Sequence, residues 1–198
     1  MSENRGMEAM GEKVSERARE FVAGGGYVRT SAQAGGAPKW LKAARERFWL
    51  AHPYGKMMEY EEARWLRMMR EAFRCVGEKG YGVSVAFGPN GAVVGVASWK
   101  SKRYESNYMN RHSPELYLAF MGTNGHLRGA GTALMVEVAR VAVAHNRPAF
   151  AYVSKNGSFY REMGWEMIKA DPSNDHWQWP LEVCKGLTPQ RVYEAPSL

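Results

Sequence analysis

The stretch from Leu116 to Ser154 most constrains what this 198-residue chain can fold into. Leu116–Thr123 (LYLAFMGT) is a short, largely apolar run, the pattern of a strand covered on both faces. A glycine-rich turn follows and leads into Gly129–Asn146, where Leu134, Val138 and Val141 share a helical stripe and Pro148 marks the stop. Pro148–Ser154 (PAFAYVS) then reads as a second strand. Strands joined through a helix lie parallel in one sheet, because the crossover returns the chain in its original direction.

Around this unit the period changes. Tyr81–Phe87 and Ala92–Trp99 are Val-rich runs of period two, joined across Gly88-Pro89-Asn90-Gly91, and Asn-Gly before an apolar run signals a hairpin. Upstream, Tyr27–Gln33 is a first strand. Pro38–Ala51 and Tyr60–Val76 are helices, with Leu41, Ala44, Phe48 and Ala51 repeating on one and Leu66, Met69, Phe73 and Val76 on the other. Downstream, Ser158–Met163 is a short helix closed by Gly164, and Trp165–Ala170 and His176–Cys184 are the last strands. The order βααββ then βαβαββ predicts an α/β (α+β) chain with a mixed sheet and helices on both faces. The run Gly24-Gly25-Gly26 marks a boundary. Residues 1–26 are expected to be an appendage, partly disordered or helical, residues 27–185 the domain, and residues 186–198 a tail.

Hydrophobic residues make up 45% and charged residues 24% of the chain, a globular balance at a length that suits one core. No apolar run reaches the roughly 18–20 residues of a membrane helix, and Met1–Met10 has no apolar signal core. An intracellular, cytoplasmic protein is expected. Cys75 and Cys184 share no motif spacing and are expected as reduced thiols. The five histidines are scattered without ligand spacing, so no metal is expected. The net charge of +7 is the unusual quantity. It points to a polyanion: nucleic acid, an anionic membrane surface, or a small molecule with several phosphates.

The turn before the long helix carries the chemistry. Thr123-Asn124-Gly125-His126-Leu127 leads into Arg128-Gly129-Ala130-Gly131-Thr132-Ala133. Glycines there let the backbone approach a ligand, the amides of a first helical turn bind anions, and Arg128 adds a cation at the mouth. A pyrophosphate is the natural guest. The turn is not a Walker loop, since no Gly-Lys-Ser/Thr follows, and Leu134 stands where a dinucleotide fingerprint needs its last Gly. The plainer alternative is that Gly129 and Gly131 only permit close helix–strand packing.

Arg128–Ala133 matches the Q/R-x-x-G-x-G/A motif of the GCN5-related N-acetyltransferase (GNAT) superfamily. Tyr117–Asn124 resembles the fourth strand of that family, and Tyr160-Arg161-Glu162-Met163-Gly164-Trp165 resembles its Y-x-x-x-G-F ending. The resemblance is specific over 116–165 and is closest to fungal members and the puromycin acetyltransferase-like branch. It implies a mostly antiparallel sheet of six to seven strands, splayed between strands 4 and 5. It also implies acetyl-coenzyme A as cosubstrate, with its arm along Met121 and Thr123 and its pyrophosphate on Arg128, Gly129, Ala130, Gly131, Thr132 and Ala133. Asn156 falls at the start of the family's second motif and would contact the arm. Tyr160 would protonate the departing thiolate. Some relatives carry a glutamate where Tyr117 stands; Glu115 lies two residues earlier on the same strand face and would act as base directly or through water. The family often has Pro where Gly125 stands and Lys or Arg where Ala130 stands.

The implied acceptor is an amine of a small molecule, apolar or aromatic if Trp40, Trp49, Trp65, Trp177 and Trp179 form its walls; each of these also suits a core. A monomer or homodimer with no membrane partner is expected. Two other readings stay open: a coenzyme-binding protein whose catalysis is lost or changed, and a nucleic-acid module. The latter is disfavoured because the basic and aromatic residues are not clustered.

Overall fold

The computed structural model describes residues 2–32, 36–52, 60–78, 80–100, 116–153, 157–170, 172 and 174–187, with side chains from Met10 onward except at 60–64. Its elements run α1 (Ser2–Ala23), β1 (Tyr27–Ser31), α2 (Lys39–Ala51), α3 (Tyr60–Arg74), β2 (Tyr81–Phe87), β3 (Val93–Lys100), β4 (Leu116–Thr123), α4 (Ala130–Ala144), β5 (Ala149–Val153), α5 (Gly157–Glu162), β6 (Glu166–Lys169), β7 (Asp175–Trp179) and α6 (Leu181–Gly186). The strands form one seven-stranded sheet in the order β1-β2-β3-β4-β5-β7-β6. All neighbours are antiparallel except β4 and β5, the pair joined through α4. The crossover through α5 does not pair β5 with β6. Instead β7 doubles back between them and bonds both in antiparallel register.

Each face of the sheet has its own core. On one, Val14, Ala18 and Phe21 of α1 and Leu134, Met135 and Val138 of α4 pack with Trp99, Leu116, Trp177 and Trp179. On the other, Leu41 and Phe48 of α2 and Leu66, Met69 and Phe73 of α3 pack with Val83, Val85 and Val96. The helical stripes expected from sequence are therefore the buried ones, except that Ala51 at the end of α2 is exposed and Val141 of α4 is half-buried. Arg70 of α3 donates from Nη2 to the His52 carbonyl at 2.9 Å and tethers the end of α2.

Two segments differ from the sequence reading. Residues 2–23, expected as a partly disordered or helical appendage, form a 22-residue helix, and what differs is that its apolar stripe enters the α4-side core. Gly24-Gly25-Gly26 is the tight turn that returns it to β1: Gly25 has φ +80 and its amide bonds the Val22 carbonyl at 2.8 Å. At the other end, the strand expected to reach Cys184 stops at Trp179. Pro180 cannot continue a ladder and caps α6 instead, and Cys184 is buried in that helix.

Burial pushes the Cys184 thiol from 9.0 up to about 12, and raises the Cys75 thiol by the same desolvation. An acid that is harder to ionise folded than unfolded stabilises fully below its unfolded pKa and loses that contribution as pH rises through its folded value. The melting temperature should therefore fall as pH is raised above 9, and Cys184→Ala should make that fall shallower; an unchanged slope in the variant would remove Cys184 as its source.

Among the described residues no helix is long and apolar enough to cross a membrane, and no group of three His, Cys, Asp or Glu is placed to hold a metal.

Candidate functional site: the parting of β4 and β5

β4 bulges against β3 and parts from β5. Against β3, Leu118 pairs with Trp99 and Phe120 with Ser98, so Ala119 is an extra residue, a β-bulge. The bulge exchanges the strand's faces. Before it, Leu116 and Leu118 point to α4; after it, Phe120 joins the opposite core and Met121 packs on the α4 side. Gly122 then faces α3 so closely that a Cβ there would lie 3.0 Å from the Trp65 carbonyl. Against β5, pairing extends only over Leu116↔Ala149 and Tyr117↔Phe150. Beyond that rung the two parallel strands separate, which leaves the β5-facing edge of β4 from Leu118 to Thr123 open for an extended ligand. Met121 and Thr123 sit beside the opening on the α4 side.

The strand delivers the chain straight into the glycine-rich turn. Asn124 closes it at both ends: its amide bonds the Val94 carbonyl at 2.9 Å, and its Oδ1 accepts from the His126 amide at 3.1 Å. Gly129 caps α4 in the left-handed region at φ 82, with no side-chain cap. Ala130 spends its amide on the Leu127 carbonyl at 3.3 Å and Ala133 spends its own on the Gly129 carbonyl at 2.8 Å. The amides of Gly129, Gly131 and Thr132 bond no backbone carbonyl of the described residues. These are the donors that a helix N-terminus presents to an anion. Thr132 and Ala133 have buried side chains, so their share in such a site is the backbone alone.

α1 braces this turn. A Cβ on Gly129 would run into the Arg17 carbonyl, and the Phe21 Cβ is 3.1 Å from the same point. Glu20 Oε2 meets Arg128 Nε at 3.3 Å while the Arg128 side chain stays 82% exposed, so the guanidinium is available to a phosphate. Arg17 binds Glu162 of α5 at 2.7 Å and links the turn to the helix that carries Tyr160.

Phe159 of α5 lies over Gly131, its ring 3.7 Å from where a Cβ would stand. Tyr160 is packed edge-on to Trp165 at 5.2 Å and tilted against Trp177 at 6.4 Å. Burial raises its phenol from 10.0 to about 12, which keeps it protonated at neutral pH. The indole N–H groups of Trp165 and Trp177 are buried beside it with no partner among the described residues. α5 ends through a left-handed Gly164 (φ 81), with the Trp165 amide bonded to the Tyr160 carbonyl at 3.0 Å, which fixes the tyrosine at the terminus. Glu115 and Asn156 lie outside the described residues.

Tyr117 faces away from α4 and has no carboxylate to offer there. It stacks on Phe150 at 4.9 Å and meets Tyr152 at 6.1 Å, and Tyr152 stacks on His176 at 4.9 Å. Trp177 and Trp179 are buried on the α4 side, so they are core and not acceptor wall; Trp40, Trp49 and Trp65 pack against the α2–α3 core. The sequence reading overlooked the Tyr117–Phe150–Tyr152–His176 cluster. Its signal lies in β5, where Ala149, Ala151 and Val153 alternate with the two large rings.

No family model matches the chain, and no curated protein matches it. Solved structures do match. A complex of KacTA with DNA aligns over 82% of this chain and 97% of its own with 14% identity and a TM-score of 0.52. AtaTR bound with acetyl-coenzyme A aligns over 83% and 98% with 13% identity and a TM-score of 0.52. A histone acetyltransferase HPA2 and related acetyltransferase from Corynebacterium glutamicum aligns over 78% and 95% with 17% identity and a TM-score of 0.48. The mostly antiparallel sheet, its single parallel pair and the parting of that pair give this chain the GNAT fold.

Proposed function

We propose that this chain is an acetyl-coenzyme A-dependent N-acetyltransferase acting on a small-molecule amine. The observation that carries the reading is the opening of β4 from β5 directly beside a helix start with free amides at Gly129, Gly131 and Thr132. One end suits an extended arm that pairs as a strand, and the other suits a pyrophosphate. Acetyl-coenzyme A supplies an acetyl thioester, whose carbon bonds to the amine nitrogen as the carbon–sulfur bond breaks.

The chain's residues fit around that exchange. The open edge of β4 near Met121 and Thr123 orients the arm, and the α4 turn with Arg128 holds the phosphates. Tyr160, neutral and largely buried, donates its proton toward the departing sulfur, and the proton lost by the amine restores the balance. Glu115 receives that amine proton in this reading, directly or through water, and Asn156 contacts the arm. The puromycin acetyltransferase-like branch, a cytoplasmic location and a monomeric or homodimeric state belong to the same proposal.

A second reading is favoured by one observation. Tyr117 stands where some GNAT relatives carry a glutamate and is engaged in ring stacking, which suits a coenzyme-binding protein that runs another reaction.

Coenzyme A should raise the melting temperature: at 100 times its dissociation constant it adds about 2.7 kcal/mol if it binds only the folded chain. No shift at millimolar coenzyme would sink both readings. Thiol release from acetyl-coenzyme A that depends on an added amine separates the first from the second.

A further inference from the structure

We infer that β6 is a self-complementary edge through which two copies of this chain pair, antiparallel about a two-fold axis. The inference decides between the monomeric and homodimeric states and does not depend on the coenzyme reading. β6 is the last strand of the sheet and, among the described residues, is bonded on one side only, to β7. Its outer edge offers backbone N–H and C=O groups as a template for another strand. All four of its residues are exposed. The two at its centre are apolar: Met167 is 48% exposed and Ile168 52%. They are two of the four large hydrophobic side chains that the described residues leave exposed.

Charge order selects a second copy as the occupant. β6 carries Glu166 at one end and Lys169 at the other. Residues three apart on a regular strand point to opposite faces. Here the register against β7 corrects for that: Glu166 pairs with Gln178, Met167 with Trp177 and Lys169 with His176, so Ile168 is an extra residue. Gln178 and His176 are two apart and share the face on which His176 stacks against Tyr152, whereas Trp177 enters the α4-side core. The bulge thus brings Glu166 and Lys169 to one face, away from α4. Neither makes an ion pair with a described residue. A second β6 running antiparallel, centred between Met167 and Ile168, sets Glu166 of each copy opposite Lys169 of the other. Met167 of each then meets Ile168 of the other. Every contact is made twice, as a two-fold interface requires, and opposite charges directly across a strand pair stabilise it. A strand of another sequence would have to carry the same charges in reverse order; β6 itself does.

The test is the mass in solution, by sedimentation equilibrium over a concentration series. The chain should pass from 22.3 kDa toward twice that mass as concentration rises, since a four-residue edge is a short interface of the weak, concentration-dependent class. Glu166→Lys and Lys169→Glu each set like charges opposite one another twice. Each variant alone should dimerise about ten-fold more weakly than the parent. Mixed together, the two should form a one-to-one dimer, because the two reversals restore opposite charges across both pairs. Both side chains are exposed, so the variants should melt like the parent at low concentration, which shows that they fold. A parent chain that keeps a single mass up to about 1 mM overturns the inference. So does a dimer that either reversal leaves intact, or a pair of variants that fail to associate on mixing.

Discussion

Gly129→Ala should lower the melting temperature and, separately, abolish its response to coenzyme A. Two costs coincide at this residue. Its backbone sits at φ 82, where a Cβ costs about 1–2 kcal/mol, and that Cβ would run into the Arg17 carbonyl of α1. The carbonyl belongs to a helix whose neighbouring Phe21 and Ala18 are buried, so it cannot give way cheaply. A total of about 3 kcal/mol is expected, or roughly 6–12 °C at this chain length. The coenzyme response is lost because the substitution displaces the turn that presents the free amides. Gly125→Ala is the internal comparison. Gly125 has φ 72 and open space where a Cβ would go, so only the backbone cost applies and the response to coenzyme A should persist. If Gly129→Ala melts like the parent and still responds, α1 does not brace the turn.

Tyr160→Phe should lower kcat about 100-fold, a usual share for a positioned acid, while leaving the KM for acetyl-coenzyme A nearly unchanged. The hydroxyl lies in a largely buried aromatic setting that raises its pKa to about 12. The phenol is thus protonated throughout pH 7–10, and loss of its proton cannot produce an alkaline fall in kcat within that window. A profile with a limb near pH 10 that disappears in Tyr160→Phe would mean a phenol of ordinary acidity. A variant with full kcat would remove Tyr160 from the reaction altogether.

The core was legible because its signals are local. Leu116–Thr123 was bounded correctly from composition alone, and the stripes of α2, α3 and α4 followed from a period near 3.6. The bulge at Ala119 was not legible, since an apolar run reads the same whether or not its alternation reverses partway. It decides that Phe120 and Gly122 face α3 and that Met121 faces α4. α1 was read as an appendage because its stripe, Val14, Ala18 and Phe21, is sparse amid charges and its partners are more than 100 residues away. α6 was missed because six residues give too little periodicity to separate a helix from a strand end; Pro180 was the available sign. The site divided in the same way. The turn at 128–133 announced itself through its glycines and Arg128, whereas the ring cluster needed the sheet order to bring Tyr117, Phe150 and His176 together.

The placement of α1 also sets a schedule. Its apolar stripe is made before its partners on α4 and α6, which follow more than a hundred residues later, and Gly11 comes to lie against the Gly186 carbonyl. At ~5–20 residues per second of synthesis, the helix waits roughly 5–30 seconds with Phe21 uncovered. The brace behind the phosphate turn is thus translated well before it can dock, and the turn acquires its final shape only when α4 and α6 have both emerged.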